Sequence, residues 1–281
     1  FGQFTGSNKT INSGDLRFGD GTELSINSIG NIQQPFYYST TYTSWRQLTY
    51  WNFPLDYKFA TEGDGTAEWN PNGTSVENPI MSGQVFDDSG FTITSGVTGY
   101  GTIKVRGTII VGSATLELTN TYTTGLGGNY VSVVTTLKNI GATSVSNLRF
   151  WIGTRDDYVG GTDSPTKQRG NLTNGAFAPL TATTQRAAAL LIKTADEGVL
   201  FFTNSSRGNN VHTGCCTFSD ATNLDPATAT IETTGDGSYA MFVRMNDLAV
   251  GATDSFTWYY AAAPLDDLDD VVAEVALASS S

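Results

Sequence analysis

The chain has 281 residues and a formal net charge of -12, from 27 acidic against 15 basic residues, so its field repels nucleic acid and anionic membrane surfaces. Charged residues make up only 15% while Gly reaches 31, and Thr, Ser and Asn crowd the segments between apolar runs, a composition suited to many strands joined by many turns. No apolar stretch approaches the roughly 20 residues that span a bilayer, which excludes a membrane helix.

The first residues, 1–12, read as a polar extension carrying two Phe. Such a segment packs on its own body or is donated to the edge of a neighbour's sheet. The start at Phe1 rather than Met leads us to expect a processed, secreted, extracellular or cell-surface protein. Residues 13–281 read as one large β domain, because no composition break or Pro-rich linker divides them. Strand-like segments follow in "TELSINSI", "QPFYYSTTY", "RQLTYWNF" and "LDYKFATE". The run "FYYSTTYTSWRQLTYWNF", residues 36–53, holds more rings than one inward strand face hides. Its exposed members, Trp45 and Trp51 among them, are candidates to stack on sugar rings or anchor a partner protein.

The longest loop-like segment, "EGDGTAEWNPNGTSVENP" over residues 62–79, brings Glu62, Asp64 and Glu68 together beside Trp69. Strict alternation then takes over in "GTIKVRGTIIVG", "ATLELTNTYTT", "NYVSVVTTLKN" and "SNLRFWIG", each a half-buried strand. The last of these carries Trp151 and runs into "TRDDYVGGTD", where Arg155 precedes Asp156 and Asp157, followed by Tyr158, two glycines and Asp163. Carboxylates around flexible glycines suit calcium, a hard cation that takes oxygen ligands, although neither this loop nor the Glu62 group has EF-hand spacing. The plainer reading is a turn pinned by Arg155, whose guanidinium holds neighbouring carboxylates or carbonyls.

Further along, "RAAALLIKT" and "GVLFFTNSS", and then "GSYAMFVRM" and "DSFTWYYAA", read as two antiparallel pairs. Between the pairs lie His212, the single histidine, and the adjacent Cys215 and Cys216, which suit free thiols, a strained ring or a cross-link to another chain. Sequons at Asn8, Asn72, Asn171 and Asn204 are glycan acceptors in a secretory pathway. After Pro264, "LDDLDDVVAEVALA" sets Leu265, Leu268, Val272 and Val275 on one face, with acids in the first turns opposing the helix dipole, which predicts a terminal helix over 265–278. About fifteen short strands emerge in all. We therefore expect an all-β, super-sandwich-like fold: a large two-sheet antiparallel β-sandwich with a short C-terminal helix.

Familiar catalytic constellations are missing from the sequence: no nucleophile elbow, phosphate loop or dinucleotide fingerprint occurs in a suitable context. Acid pairs beside aromatic rings, Glu62, Asp64 and Glu68 at Trp69 or Asp156 and Asp157 at Trp151 and Tyr158, keep a carbohydrate-active enzyme or a lectin-like module open as the alternative.

Two stretches, "VSVVTTLKNIGATSVSNLRFWIGTRDDYVGGTD" and "GDGSYAMFVRMNDLAVGATDSFTWYYAAAPLDDLDDVVAEV", resemble β-sandwich modules of large secreted and cell-surface proteins, adhesins among them. The resemblance covers residues 130–163 and 235–275. It implies a non-catalytic adhesive or structural building block that associates with itself, with other extracellular proteins or with glycans. Self-assembly into a filament or surface layer extends that expectation, with Cys215 and Cys216 as cross-links.

Overall fold

The computed structural model describes residues 9–13, 15–18, 25–62, 74–205, 209–214 and 230–280. The alternating segments become strands, in chain order β1 (Thr10–Ser13), β2 (Leu16–Phe18), β3 (Pro35–Ser39), β4 (Ser44–Gln47), β5 (Asp56–Thr61), β6 (Thr74–Glu77), β7 (Ser82–Ser95), β8 (Thr98–Val111), β9 (Ala114–Thr124) and β10 (Tyr130–Asn139). They continue with β11 (Arg149–Thr154), β12 (Thr166–Thr173), β13 (Ala176–Pro179), β14 (Ala189–Lys193), β15 (Glu197–Thr203), β16 (Asn209–Gly214), β17 (Glu232–Thr234), β18 (Ser238–Arg244) and β19 (Thr253–Pro264). One 3-10 turn, Leu265–Asp267, leads into the helix α1 (Leu268–Ser279).

These strands form a two-sheet β-sandwich with one short C-terminal helix. The larger sheet runs β13-β12-β14-β15-β19-β10-β9-β8, with β7 and β17 paired to β8 and β12, and continues through β1 to β2, β3 and β4. The smaller sheet runs β16-β18-β11-β5-β6. All pairs between named strands are antiparallel except one: β1 joins β8 in parallel at Thr10↔Thr98. Strand β1 begins inside the segment expected to be an extension, and there it pairs with β8 and β2 of its own chain.

One expected pairing is corrected: β18 and β19 are not neighbours, the first lying in the smaller sheet and the second in the larger. After β10 the chain turns, with Asn139 Nδ2 donating to the Thr143 carbonyl at 2.8 Å, and β11 crosses to the smaller sheet between β18 and β5. The two crossings run side by side, tied by the Val145↔Leu248 bridge and by Asn139 Nδ2 donating to the Leu248 carbonyl at 3.0 Å. Strands β11 and β18 are buried over nearly their whole length, so their apolar residues carry no alternation to say which sheet they join.

Strand β19 shows how both faces of the larger sheet are used. Trp258, Tyr260 and Ala262 enter the main core between the sheets, while Tyr259, Ala261 and Ala263 point to the other face. There they meet Leu268, Val271, Val272 and Val275 of α1. The helix thus buries Val271 rather than Leu265, which stays 38% exposed because it belongs to the 3-10 turn, where the helical phase has not begun. Each fully buried apolar side chain of this kind contributes about 1.5 to 3 kcal/mol.

A chain of polar groups crosses the core. Asn120 donates to the Gly30 carbonyl (3.0 Å) and to the Tyr57 hydroxyl (2.7 Å) and accepts from Thr135 (2.7 Å). Trp258 Nε1 donates to Thr135 at 2.9 Å, and the Tyr122 hydroxyl donates to Gly30 at 2.6 Å. Residues from β5, β9, β10 and β19 are thereby locked to one loop carbonyl, because buried polar groups must find partners.

Candidate functional site

The site is built where β11 ends and the chain turns toward β12. Arg155 leaves the strand and grips Asp56, the first residue of β5, with both arms of its guanidinium: Nε to Oδ2 at 3.1 Å and Nη2 to Oδ1 at 2.7 Å. Asn78 Nδ2 adds a bond to Asp56 Oδ1 at 2.7 Å, and Ser238 Oγ donates to the Arg155 carbonyl at 2.5 Å. The outer face of the guanidinium lies 5.2 Å from the Phe53 ring centre. The pinned turn read from the sequence is therefore present, although its carboxylate lies 99 residues away rather than in the same loop.

Residues 156–158 then run antiparallel to residues 48–50. The Tyr50 N–H donates to the Asp156 carbonyl at 3.1 Å and the Tyr158 N–H to the Leu48 carbonyl at 3.3 Å, with Thr49 opposite Asp157. Strand alternation sorts the side chains: Thr49 and Asp157 point inward and are fully buried, while Tyr50, Asp156 and Tyr158 face outward. Past Tyr50 the chain turns sharply, Thr49 Oγ1 donating to the Phe53 carbonyl at 2.6 Å. Trp51 sits there at φ +48, an uncommon conformation for a bulky side chain that costs on the order of 1 kcal/mol or more. Its indole is left 70% exposed.

Four rings thus form one surface group. Tyr50 meets Tyr158 edge-on at 5.6 Å between centres and Phe53 at 6.5 Å, and Trp51 meets Phe53 at 6.4 Å. Tyr50 is 40% exposed, and Asp156 and Tyr158 are half-buried beside it.

Three carboxyls, those of Asp156, Asp157 and Glu197, are desolvated by burial. Asp157 pairs with Lys167 of β12 at 2.8 Å, with both side chains buried, and the Lys167 ammonium also donates to the Gly235 carbonyl at 2.6 Å. Burial pushes the Asp157 carboxyl up and the Lys167 charge opposes it. Asp156 is pushed up to about 6, first by desolvation and then by Asp236 and Asp163, and its Oδ1 has no hydrogen-bond partner. Glu197, at the start of β15, is 2% exposed and pushed up to about 7 by burial, with Oε2 likewise unpartnered.

The candidates from the sequence are scattered. Trp51, Tyr158, Asp156 and Asp157 come together, with Asp163 exposed nearby on the same loop. Glu62 lies at the other end of β5 from Asp56, about 20 Å away along the strand, and accepts from Ser113 Oγ at 3.3 Å. Trp45 is half-buried under Arg17, whose guanidinium carbon lies 4.3 Å from the ring centre. Trp151 is 1% exposed and packs on Phe242 at 5.2 Å, so it is core rather than a ligand platform. Among the described residues no group of three or more His, Cys, Asp or Glu is placed to hold a metal ion. Asn171 Oδ1 accepts from the Ala188 N–H at 2.9 Å, and Asn204 Nδ2 donates to the Ser279 carbonyl at 3.2 Å. Asp64, Glu68, Trp69, Asn8, Asn72, Cys215 and Cys216 lie outside the described residues.

Tyr50 and Phe53 belong to the aromatic run over residues 36–53 that the sequence offers as a sugar-stacking surface. Lys167 and Glu197 were not singled out, because a lone Lys or Glu at the edge of an apolar strand carries no signal.

No protein-family model matches the chain, and no curated protein matches it. Solved structures do. A bacterial glucoamylase, solved with acarbose, superimposes with a TM-score of 0.56 at 9% identity over 98% of this chain and 36% of its own. A galactose mutarotase-like protein from Lactobacillus casei gives 0.45 at 11% identity, over 90% of this chain and 99% of its own. An alpha-mannosidase from Enterococcus faecalis gives 0.47 at 9% identity, over 96% of this chain and 32% of its own. The chain spans about a third of the length of the glucoamylase it matches. That likeness corrects the expectation of a non-catalytic adhesive or structural subunit, together with the filament, surface layer and cell adhesion that went with it. The fold is one found within a carbohydrate-active enzyme.

Proposed function

We propose that this chain is a carbohydrate-contacting β-sandwich domain, with Tyr50, Trp51, Phe53 and Tyr158 as the sugar platform and Asp156 at its margin. The observation that carries the reading is the contiguous four-ring surface, with Trp51 70% and Tyr50 40% exposed, held in place by the bidentate Arg155–Asp56 pair. Sugar rings present C–H faces that stack on such aromatics, while their hydroxyls bond to carboxylates and backbone groups around the edge. A net charge of -12 favours neutral over anionic sugars. The likeness in fold to a glucoamylase supports the reading.

The test is calorimetry against a panel of neutral mono- and oligosaccharides. The wild type binds at least one of them, and Trp51→Ala weakens that binding about tenfold, or roughly 1.4 kcal/mol, without lowering thermal stability. A chain that binds none, or a Trp51→Ala variant that binds equally well, overturns the proposal.

One observation favours a second reading in which the surface also acts on the sugar. With its carboxyl pushed up to about 6, Asp156 holds or releases a proton near neutrality, as a general acid or base must. Anomer interconversion or glycoside turnover that is lost in Asp156→Asn, with binding retained, supports catalysis. Binding without turnover leaves recognition alone.

A further inference from the structure

Between β17 and β18 the chain turns through Gly235, Asp236 and Gly237 into Ser238, and this turn lies against the loop that carries Asp156 and Tyr158. The Gly237 carbonyl accepts from the Asp157 N–H at 2.9 Å, and Ser238 Oγ donates to the Arg155 carbonyl at 2.5 Å. Behind both segments stands Lys167 of β12, 1% exposed. Its ammonium lies 2.8 Å from Asp157 Oδ2 and donates to the Gly235 carbonyl at 2.6 Å, so one buried charge ties β12 to the loop and to the turn. The backbone leaves room for it. Gly235 takes φ +147, a region open to glycine, and a Cβ on Gly237 would stand 3.0 Å from Lys167 Cε and 3.1 Å from Nζ, closer than side chains normally pack.

We infer that Lys167 is a positioning residue of the proposed sugar surface: by holding the Asp157 carboxylate and the Gly235 carbonyl at once, it fixes the 235–238 turn against the platform loop and sets where Asp156, Tyr158 and Asp236 stand. The inference rests on the sugar-contact reading. Alternation carries the effect outward, since Asp157 points in to Lys167 and the residues on either side of it therefore point out beside Tyr50. Asp236 is exposed, and its backbone is anchored on both sides by the carbonyls of Gly235 and Gly237. It stands at the rim of the surface, where a carboxylate accepts hydrogen bonds from sugar hydroxyls. A buried ion pair is a poor source of stability, because apolar side chains of similar volume serve as well or better. What this one supplies is a single arrangement: an ammonium shared between a carboxylate and a carbonyl admits few other placements of either.

The experiment compares the wild type with the double variant Asp157→Ala/Lys167→Met, which leaves no buried charge alone, and with Val272→Ala, which loosens α1 on the other face of the larger sheet. The double variant is expected to melt within about 3 °C of the wild type. It nevertheless binds the best sugar of the panel about tenfold more weakly. Its amides at positions 157 and 158 exchange hydrogen about tenfold faster, with β10 unchanged. Val272→Ala melts lower but keeps the affinity of the folded protein. Gly237→Ala, which presses a methyl group on the ammonium, shifts affinity and exchange in the same direction by about threefold. A double variant with wild-type affinity and wild-type exchange overturns the inference, as does an affinity loss that Val272→Ala reproduces. If the wild type binds no sugar, the functional reading falls and exchange alone decides whether Lys167 holds the loop: unchanged rates at positions 157 and 158 overturn it. If the double variant does not fold, Gly237→Ala decides by the same two readings.

Discussion

Two polar regions lie inside this sandwich, and they are finished differently. Around Asn120, the side chains of Tyr57, Tyr122, Thr135 and Trp258 and the Gly30 carbonyl satisfy one another completely across four strands. Around Asp156, Asp157 and Glu197, each acid keeps at least one buried oxygen without a hydrogen-bond partner. The first region stabilises the fold and specifies how its sheets meet. The second keeps desolvated charge beneath an exposed aromatic surface, a cost that makes sense where the surface has work to do.

The comparison breaks most sharply at Asp157. Asp157→Ala leaves the Lys167 ammonium buried without its counter-ion and is expected to cost about 3 to 5 kcal/mol in urea unfolding, most of it recovered in the double variant with Lys167→Met. In the satisfied region, Asn120→Ala leaves the Thr135 hydroxyl without its acceptor and takes one partner from the Tyr57 hydroxyl, which is expected to cost about 1 to 3 kcal/mol.

Stability against pH sharpens the contrast. Glu197 and Asp156 have carboxyls raised above their ordinary values, so the stability they contribute is fully present at about pH 4 and is lost as pH rises through 6 and 7. For Glu197 the loss is on the order of 2 to 3 kcal/mol, and for the half-exposed Asp156 it is discounted by solvent to under about 1. The wild type is therefore expected to unfold more easily at pH 8 than at pH 5, and Glu197→Gln to flatten that slope. A stability profile that rises over this range contradicts the account of these acids.

The smallest effect concerns Trp51. Because the indole is exposed and its backbone sits at positive φ, Trp51→Gly is expected to change stability by no more than about 0.5 kcal/mol while weakening sugar binding as Trp51→Ala does.

Much of the fold was legible in the sequence because alternation survives wherever a strand has one wet face. Strands β8, β9 and β10 read clearly for that reason. It failed at β11 and β18, where both faces are covered and an apolar run names no partner. The helix was legible from its acidic first turns and apolar spacing, to within the one turn that places Leu265 outside it.

The site was half legible. Trp51, Tyr158 and Asp156 stand in conspicuous runs, but the partner that holds Arg155 beside them, Asp56, comes from 99 residues away along the chain. Trp151 misled because it neighbours the acidic loop in sequence. It lies mid-strand in β11 at 1% exposure, whereas the half-buried Asp156 and Tyr158 lie past the strand's end at Thr154.

The central claim is that the Trp51 surface is where sugar sits. Five tryptophans give five indole N–H resonances, and titrating labelled protein with the best binder of the sugar panel reads them separately. The account predicts saturable movement of the Trp51 signal, with Trp151 and Trp258, both buried, unmoved. Saturable binding that leaves Trp51 in place and moves another indole contradicts it.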